Sequence, residues 1–293
     1  MAPLLVAALA ACASPPPPQA QPEPGPAPAM AAPLPQPAPA TGALSEPESD
    51  IGRTFDAAVV ALPGLEGGNE VLARIGSSEL AQYMARAGAR SFPTVLFLHG
   101  CDGLNNLVPL RALARRGFAV LAPDSFARRF RPLQCDPRAR TGGRNLYVFD
   151  FRAAEISYAL HRMRRLAWVD RERLFLLGVS EGGLAAAQYR GDDFRARVIA
   201  EWTCNGAALV RGLAAPEDEP VLAVVRAGDP WYNRAAARGL QAGDCGSYLG
   251  QRPRSRSLVL QGQGHDVMGD AQGIGAILEF LAAEAQRAGY RGS

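Results

Sequence analysis

Arg173-Leu174-Phe175-Leu176-Leu177-Gly178-Val179-Ser180-Glu181-Gly182-Gly183 is the stretch on which the reading of this chain turns. Leu174 to Leu177 form a continuous apolar run, the pattern of a strand covered on both faces in a parallel sheet, and small residues with helical patterning follow at once. Between them lies Gly178-Val179-Ser180-Glu181-Gly182, a G-x-S-x-G. That spacing sets a serine on a sharp strand-to-helix turn, with glycines on either side where a bulkier residue would collide. In a chain with 31 glycines the pentapeptide alone is a weak signal, and a serine that merely caps the helix is the plain alternative. The strand before it and the helix after it supply the context that the motif requires.

Outward from this turn, strands alternate with helices. On the N-terminal side, Thr54 to Ala61 and Val71 to Ile75 read as short strands, an antiparallel entry to the sheet. Thr94 to Leu98 reads as a strand, Leu107 to Arg116 as a helix and Phe118 to Ala122 as the next strand. An arginine-rich loop from Phe126 to Arg144 follows, then a helix from Leu146 to Arg165 with Ala153, Ile156, Leu160 and Met163 on one face. Beyond the serine, strands are expected at Arg197 to Trp202, Val221 to Arg226 and Ser257 to Gln261, and a closing helix at Ile274 to Arg287. The alternation predicts one α/β domain, a mostly parallel central sheet flanked by helices on both faces.

Such a sheet delivers its chemistry just after the C-terminal ends of its strands. Ser180 follows one end, Asp229 in Ala227-Gly228-Asp229-Pro230 another, and His265 in Gly262-Gln263-Gly264-His265-Asp266 the last. A serine hydroxyl needs a base to take its proton, and the base needs an acid to orient it. The chain contains no lysine, since all 31 of its basic residues are arginine, so neither a Ser-Lys pair nor a Schiff base is available. Of three histidines, His161 stands beside Arg164 and Arg165 on a basic helix face and His99 belongs to a second motif, which leaves His265 as base. Asp229 is favoured as its acid over Asp266, Asp244 and Glu201 because of its strand-end Gly-Asp context. The second motif, His99-Gly100-Cys101-Asp102-Gly103, follows the Thr94 to Leu98 strand. The backbone N–H groups of Cys101 and Glu181 are the candidates to receive a developing oxyanion.

Thr94 to Gly103, Ala122 to Phe126 with Cys135 after it, and Gly178 to Gly183 resemble the dienelactone hydrolase family of α/β-hydrolases. The likeness runs from about Phe92 to the C-terminus. It implies an α/β-hydrolase fold and hydrolysis of carboxylic esters through an acyl-enzyme. The founding members of that family carry a cysteine nucleophile, so Ser180 directs the expectation to general esters instead of dienelactone. An acyltransferase on the same three residues, and a non-catalytic envelope lipoprotein using the fold for binding, are the competing readings. Arg128, Arg129, Arg131 and Arg144 could hold a substrate carboxylate, against the plainer reading of a solvated arginine surface. Trp202, Trp231 and Tyr232 are candidate pocket residues.

At the N-terminus, the short apolar run ending in Leu9-Ala10-Ala11-Cys12 resembles a bacterial lipoprotein signal, although no Lys or Arg precedes it. Cleavage there would leave a lipidated Cys12, and Ala13 in the next position favours the periplasmic side of the outer membrane; a non-lipidated signal is the alternative. Residues 13–48 are rich in Pro and Ala and read as a polyproline-type tether, with the catalytic domain at 49–293. Cys101, Cys135, Cys204 and Cys245 permit three disulfide pairings in an exported protein. Cys101 with Cys135 and Cys204 with Cys245 are favoured because each pair would sit in loops over strand ends. A zinc site is disfavoured by the lack of a C-x-x-C spacing, and no metal or cofactor is expected. The net charge of +3 is small and scattered, which argues against nucleic acid. The expected partner is a small ester, with membrane contact through the lipid alone and an oligomeric state that the sequence leaves open.

Overall fold

In a computed structural model the described residues are 49–136, 141–142, 145, 147–205, 210–231 and 245–287. Cys12, the 13–48 tether, Arg144, Tyr232 and Asp244 lie outside them. Eight strands form one sheet: β1 (Val59–Leu62), β2 (Val71–Arg74), β3 (Phe92–Leu98), β4 (Ala119–Ala122), β5 (Val169–Val179), β6 (Ala196–Ala200), β7 (Val221–Gly228) and β8 (Arg256–Gln263). Their spatial order is β2-β1-β4-β3-β5-β6-β7-β8. β1 runs antiparallel to both β2 and β4, and the pairings from β4 to β8 are parallel.

The period-two rule places alternate residues of each strand on opposite faces. On β5, Leu174 and Leu176 join one core while Phe175 and Leu177 join the other. The first core is covered by α1 (Asp50–Asp56), α2 (Ser78–Ala87), α4 (Tyr147–Met163) and α5 (Glu181–Gln188). The second is covered by α3 (Val108–Arg115) and α6 (Ala271–Gln286). Helices on both faces explain why the central strands read as unbroken apolar runs. Among the described residues, no helix is long and apolar enough to cross a membrane.

The structure departs from the sequence reading in three places. Thr54 to Ala61 is not one strand. Ser49 Oγ accepts the Gly52 N–H and starts helix α1, whose last residue is Asp56, and β1 begins only at Val59. Helix α2 was not anticipated; Ser77 caps it at Leu80 N–H, and it buries only Leu80, Tyr83 and Ala87. On α4, Ile156, Leu160 and Met163 are buried as expected, but Ala153 is exposed and its place in the buried stripe goes to Arg152 and Glu155. Those two charges face each other at 3.3 Å, and a count of apolar residues cannot see them.

Candidate active site

Ser180 is the first residue after β5 and sits at φ 57°, ψ −114°, a left-handed backbone that a non-glycine residue adopts only under constraint. The constraint is visible in its neighbours. A Cβ on Gly182 would lie 2.7 Å from the His99 carbonyl oxygen, and one on Gly178 would lie 2.8 Å from the Gly183 nitrogen. No side chain fits at either position, so the G-x-S-x-G spacing is a packing requirement of this turn. Ser180 N–H donates to the Ala200 carbonyl at 2.9 Å, which ties the turn to the end of β6.

The three sequence candidates converge. His265 Nε2 lies 2.9 Å from Ser180 Oγ, and His265 Nδ1 lies 2.7 Å from Asp229 Oδ2. Asp229 follows β7 directly and is 1% exposed; its other oxygen accepts the Trp231 N–H at 2.8 Å, so the carboxylate is held from two sides. The Gly264 N–H donates to the Gly228 carbonyl at 3.3 Å and joins the two loops. Burial disfavours the charged imidazole, but the Asp229 hydrogen bond and the Glu201 and Asp229 charges outweigh it, and the His265 pKa lies above its ordinary value. Trp231 stands beside the imidazole with ring centres 5.9 Å apart.

His99-Gly100-Cys101 turns against the serine: a Cβ on Gly100 would sit 3.1 Å from Ser180 Cβ. A side chain there would crowd the serine, and glycine lets the two loops approach this closely without that strain. Gly103, at φ 73°, continues the turn under Phe126. Glu181 is the first residue of α5, so its N–H has no partner within the helix. His99 is 1% exposed and both its ring nitrogens are committed, Nδ1 donating to the Gly100 carbonyl at 2.7 Å and Nε2 accepting the Ser125 N–H at 2.9 Å. Burial drives its pKa well below the ordinary value, so it stays neutral and acts as a strut of this loop.

Behind the turn is a network of buried charge that sequence reasoning missed. The Glu181 carboxylate pairs with Arg131, whose Nε donates to Ser125 Oγ at 2.8 Å; Ser125 Oγ in turn donates to Glu155 Oε1, also at 2.8 Å. Arg128 Nε reaches the same Glu155 oxygen at 2.8 Å and its guanidinium lies over the Phe151 ring. Arg128 and Arg131 are therefore neither solvated surface nor turned outward to a substrate; they neutralise buried carboxylates under the strand ends. No local pattern in the sequence signals these pairings, because Glu155 and Glu181 lie on α4 and α5, distant in the chain from the arginine-rich loop.

Cys101 is disulfide-bonded to Cys135 with Cα atoms 6.1 Å apart, and Cys204 to Cys245 at 4.9 Å, the favoured pairing. Cys101, Cys135 and Glu181 are the one group of possible metal ligands that converges among the described residues, and the disulfide occupies both sulfurs. Of the rival acids, Asp266 is exposed and accepts the Gly269 N–H at 2.6 Å, whereas Glu201 is buried with Oε2 at 3.7 Å from His265 Nε2. Trp202 is half-buried against the cluster that contains Cys204 and Cys245.

No family model and no curated protein matches the chain. Among solved structures, TT1662 from Thermus thermophilus is similar at 20% identity and TM-score 0.51, over 78% of this chain and 99% of that one. A hyperthermophilic esterase from the archaeon Pyrobaculum calidifontis matches at 14% identity and TM-score 0.47, over 80% and 87% of the two chains. A Klebsiella pneumoniae protein assigned as a dienelactone hydrolase matches at 16% and 0.48, over 79% and 100%. With its eight-stranded sheet, its antiparallel β1 and its helices on both faces, this chain has the α/β-hydrolase fold.

Proposed function

We propose that the chain is a serine hydrolase that cleaves carboxylic esters through an acyl-enzyme. One observation carries the reading: a hydrogen-bonded series from Ser180 Oγ through His265 to Asp229, assembled from the ends of β5, β8 and β7. Ser180 Oγ attacks the ester carbonyl carbon while its proton passes to His265 Nε2. Asp229 holds Nδ1–H and stabilises the imidazolium. The carbonyl oxygen becomes an oxyanion, received by the N–H groups of Glu181 and Cys101. Collapse breaks the ester C–O bond, and the alcohol leaves with the proton from Nε2. Water then repeats the sequence on the acyl-serine, giving the acid and free Ser180. No step calls on a cofactor.

The finer reading, a hydrolase of the dienelactone type, rests on the likeness of the His99–Gly103, Ala122–Phe126 and Gly178–Gly183 segments. Serine in place of cysteine supports simple esters as substrates. The two disulfides support an oxidising compartment and hence export, in keeping with a leader ending at Cys12.

Short p-nitrophenyl esters test the proposal. An acyl-enzyme that forms faster than it hydrolyses gives a burst of nitrophenol close to one equivalent per chain, then a slower steady state. Ester turnover no faster than in buffer alone, with the disulfides intact, would rule the proposal out.

A further inference from the structure

Glu201 is the first residue after β6, at φ 61°, with its N–H donating to the Val224 carbonyl at 2.9 Å. A left-handed glutamate is held there by its surroundings, not by its own preference. The side chain is buried, and its two oxygens are used differently. Oε1 accepts the N–H groups of Val267 at 2.7 Å and Met268 at 3.3 Å, the residues that follow the histidine loop. Oε2 faces His265 Nε2 at 3.7 Å, on the Ser180 side of the ring, whereas Asp229 holds the opposite nitrogen.

We propose that Glu201 is a positioning residue for His265: one carboxyl oxygen fixes the loop that carries the imidazole, and the other presents charge to the nitrogen that exchanges a proton with Ser180. The imidazole thus lies between two carboxyl groups. The other charged groups that act on it are Asp229 at the end of β7 and Asp102 from the β3–α3 loop, while Asp266, next to it in the chain, acts on Glu201. Burial raises the Glu201 carboxyl to about 7, against the pull of His265 and of the two backbone N–H groups. Its charge therefore changes close to neutral pH. When ionised, it favours the imidazolium that forms as Ser180 loses its proton; when protonated, that support is withdrawn.

This inference rests on the hydrolase reading only in its kinetic consequence, so the test has two readouts on the full chain. The chain has three histidines, which makes a side-chain NMR titration tractable. Glu201→Gln keeps an oxygen for the Val267 and Met268 N–H groups and removes the charge. The expected result is a fall in the His265 pKa of about one unit or more, because an opposite charge within a few ångströms raises an imidazole by that order. Asp266→Asn, which removes an exposed charge, moves it less. The acid limb of the kcat/KM profile shifts downward with the NMR value. Glu201→Ala also loses the loop anchor, and kcat falls on the order of tenfold to a hundredfold. An unchanged His265 titration in Glu201→Gln overturns the proposal. A shifted titration in a protein without ester turnover upholds the Glu201 assignment and removes the hydrolase reading instead.

Discussion

His265→Ala lowers kcat on an aryl ester by about four to six orders of magnitude, because the base and its proton relay are lost together. The fold should tolerate the change: the imidazole side chain is 26% exposed, and its hydrogen-bond and ion-pair partners are the Ser180 hydroxyl and the Asp229 and Glu201 carboxylates. Asp229→Asn is the companion test. An amide at that position can present N–H to Nδ1 and stabilise the wrong tautomer, and the corresponding change in other Ser-His-Asp enzymes costs about 10⁴ in kcat. Because the three residues act as a unit, the double variant should be hardly worse than His265→Ala alone. Losses under tenfold in either single variant, measured by steady-state kinetics with matched circular dichroism spectra, would mean that this series does not perform the reaction.

Arg197→Met is expected to give the largest loss of stability, about 3 to 5 kcal/mol. Arg197 is fully buried on β6 and grips Glu219 through two hydrogen bonds of 2.7 and 2.6 Å, while its remaining N–H groups donate to the carbonyls of Ala186 and Tyr189 at 2.7 Å. Burial pushes the Glu219 pKa up, and Arg197 is the chief opposing influence. Removing the guanidinium alone leaves a buried carboxyl without its counter-charge and α5 with unmatched carbonyls. The double variant Arg197→Met with Glu219→Leu removes both charges and should recover most of the loss, since desolvating the pair is costly in the first place. Urea unfolding of the two variants beside the parent measures this directly. A single variant within about 1 kcal/mol of the parent would show that the pair contributes little.

The part of the site that was legible in the sequence is local. The end of a buried strand, a G-x-S-x-G and the start of a helix occupy eleven consecutive residues, and the geometry of the turn follows from sterics at Gly178 and Gly182. Asp229 and His265 were legible because parallel strands deliver their functional residues at one edge, so a Gly-Asp and a Gly-His after two apolar runs must approach each other. What stayed hidden depends on distant contacts. Thr54 to Ala61 has the composition of a strand, yet the Ser49 cap and the packing of Phe55 in the first core make its first half a helix. Arg128 and Arg131 read as surface because arginine usually is. Their burial is decided by Glu155 and Glu181, whose own positions become plain only once α4 and α5 are packed on the sheet. In the sequence Glu201 stands only as a rival to Asp229, and its place between the histidine loop and Nε2 depends on a left-handed residue that no local pattern announces.

The most direct test of the account is the intact mass of the oxidised full chain after treatment with a fluorophosphonate, beside the Ser180→Ala variant. An activated serine at the turn after β5 gives a single adduct on the parent and none on the variant. An unmodified parent, or equal labelling of both proteins, would contradict the assignment of Ser180 as nucleophile.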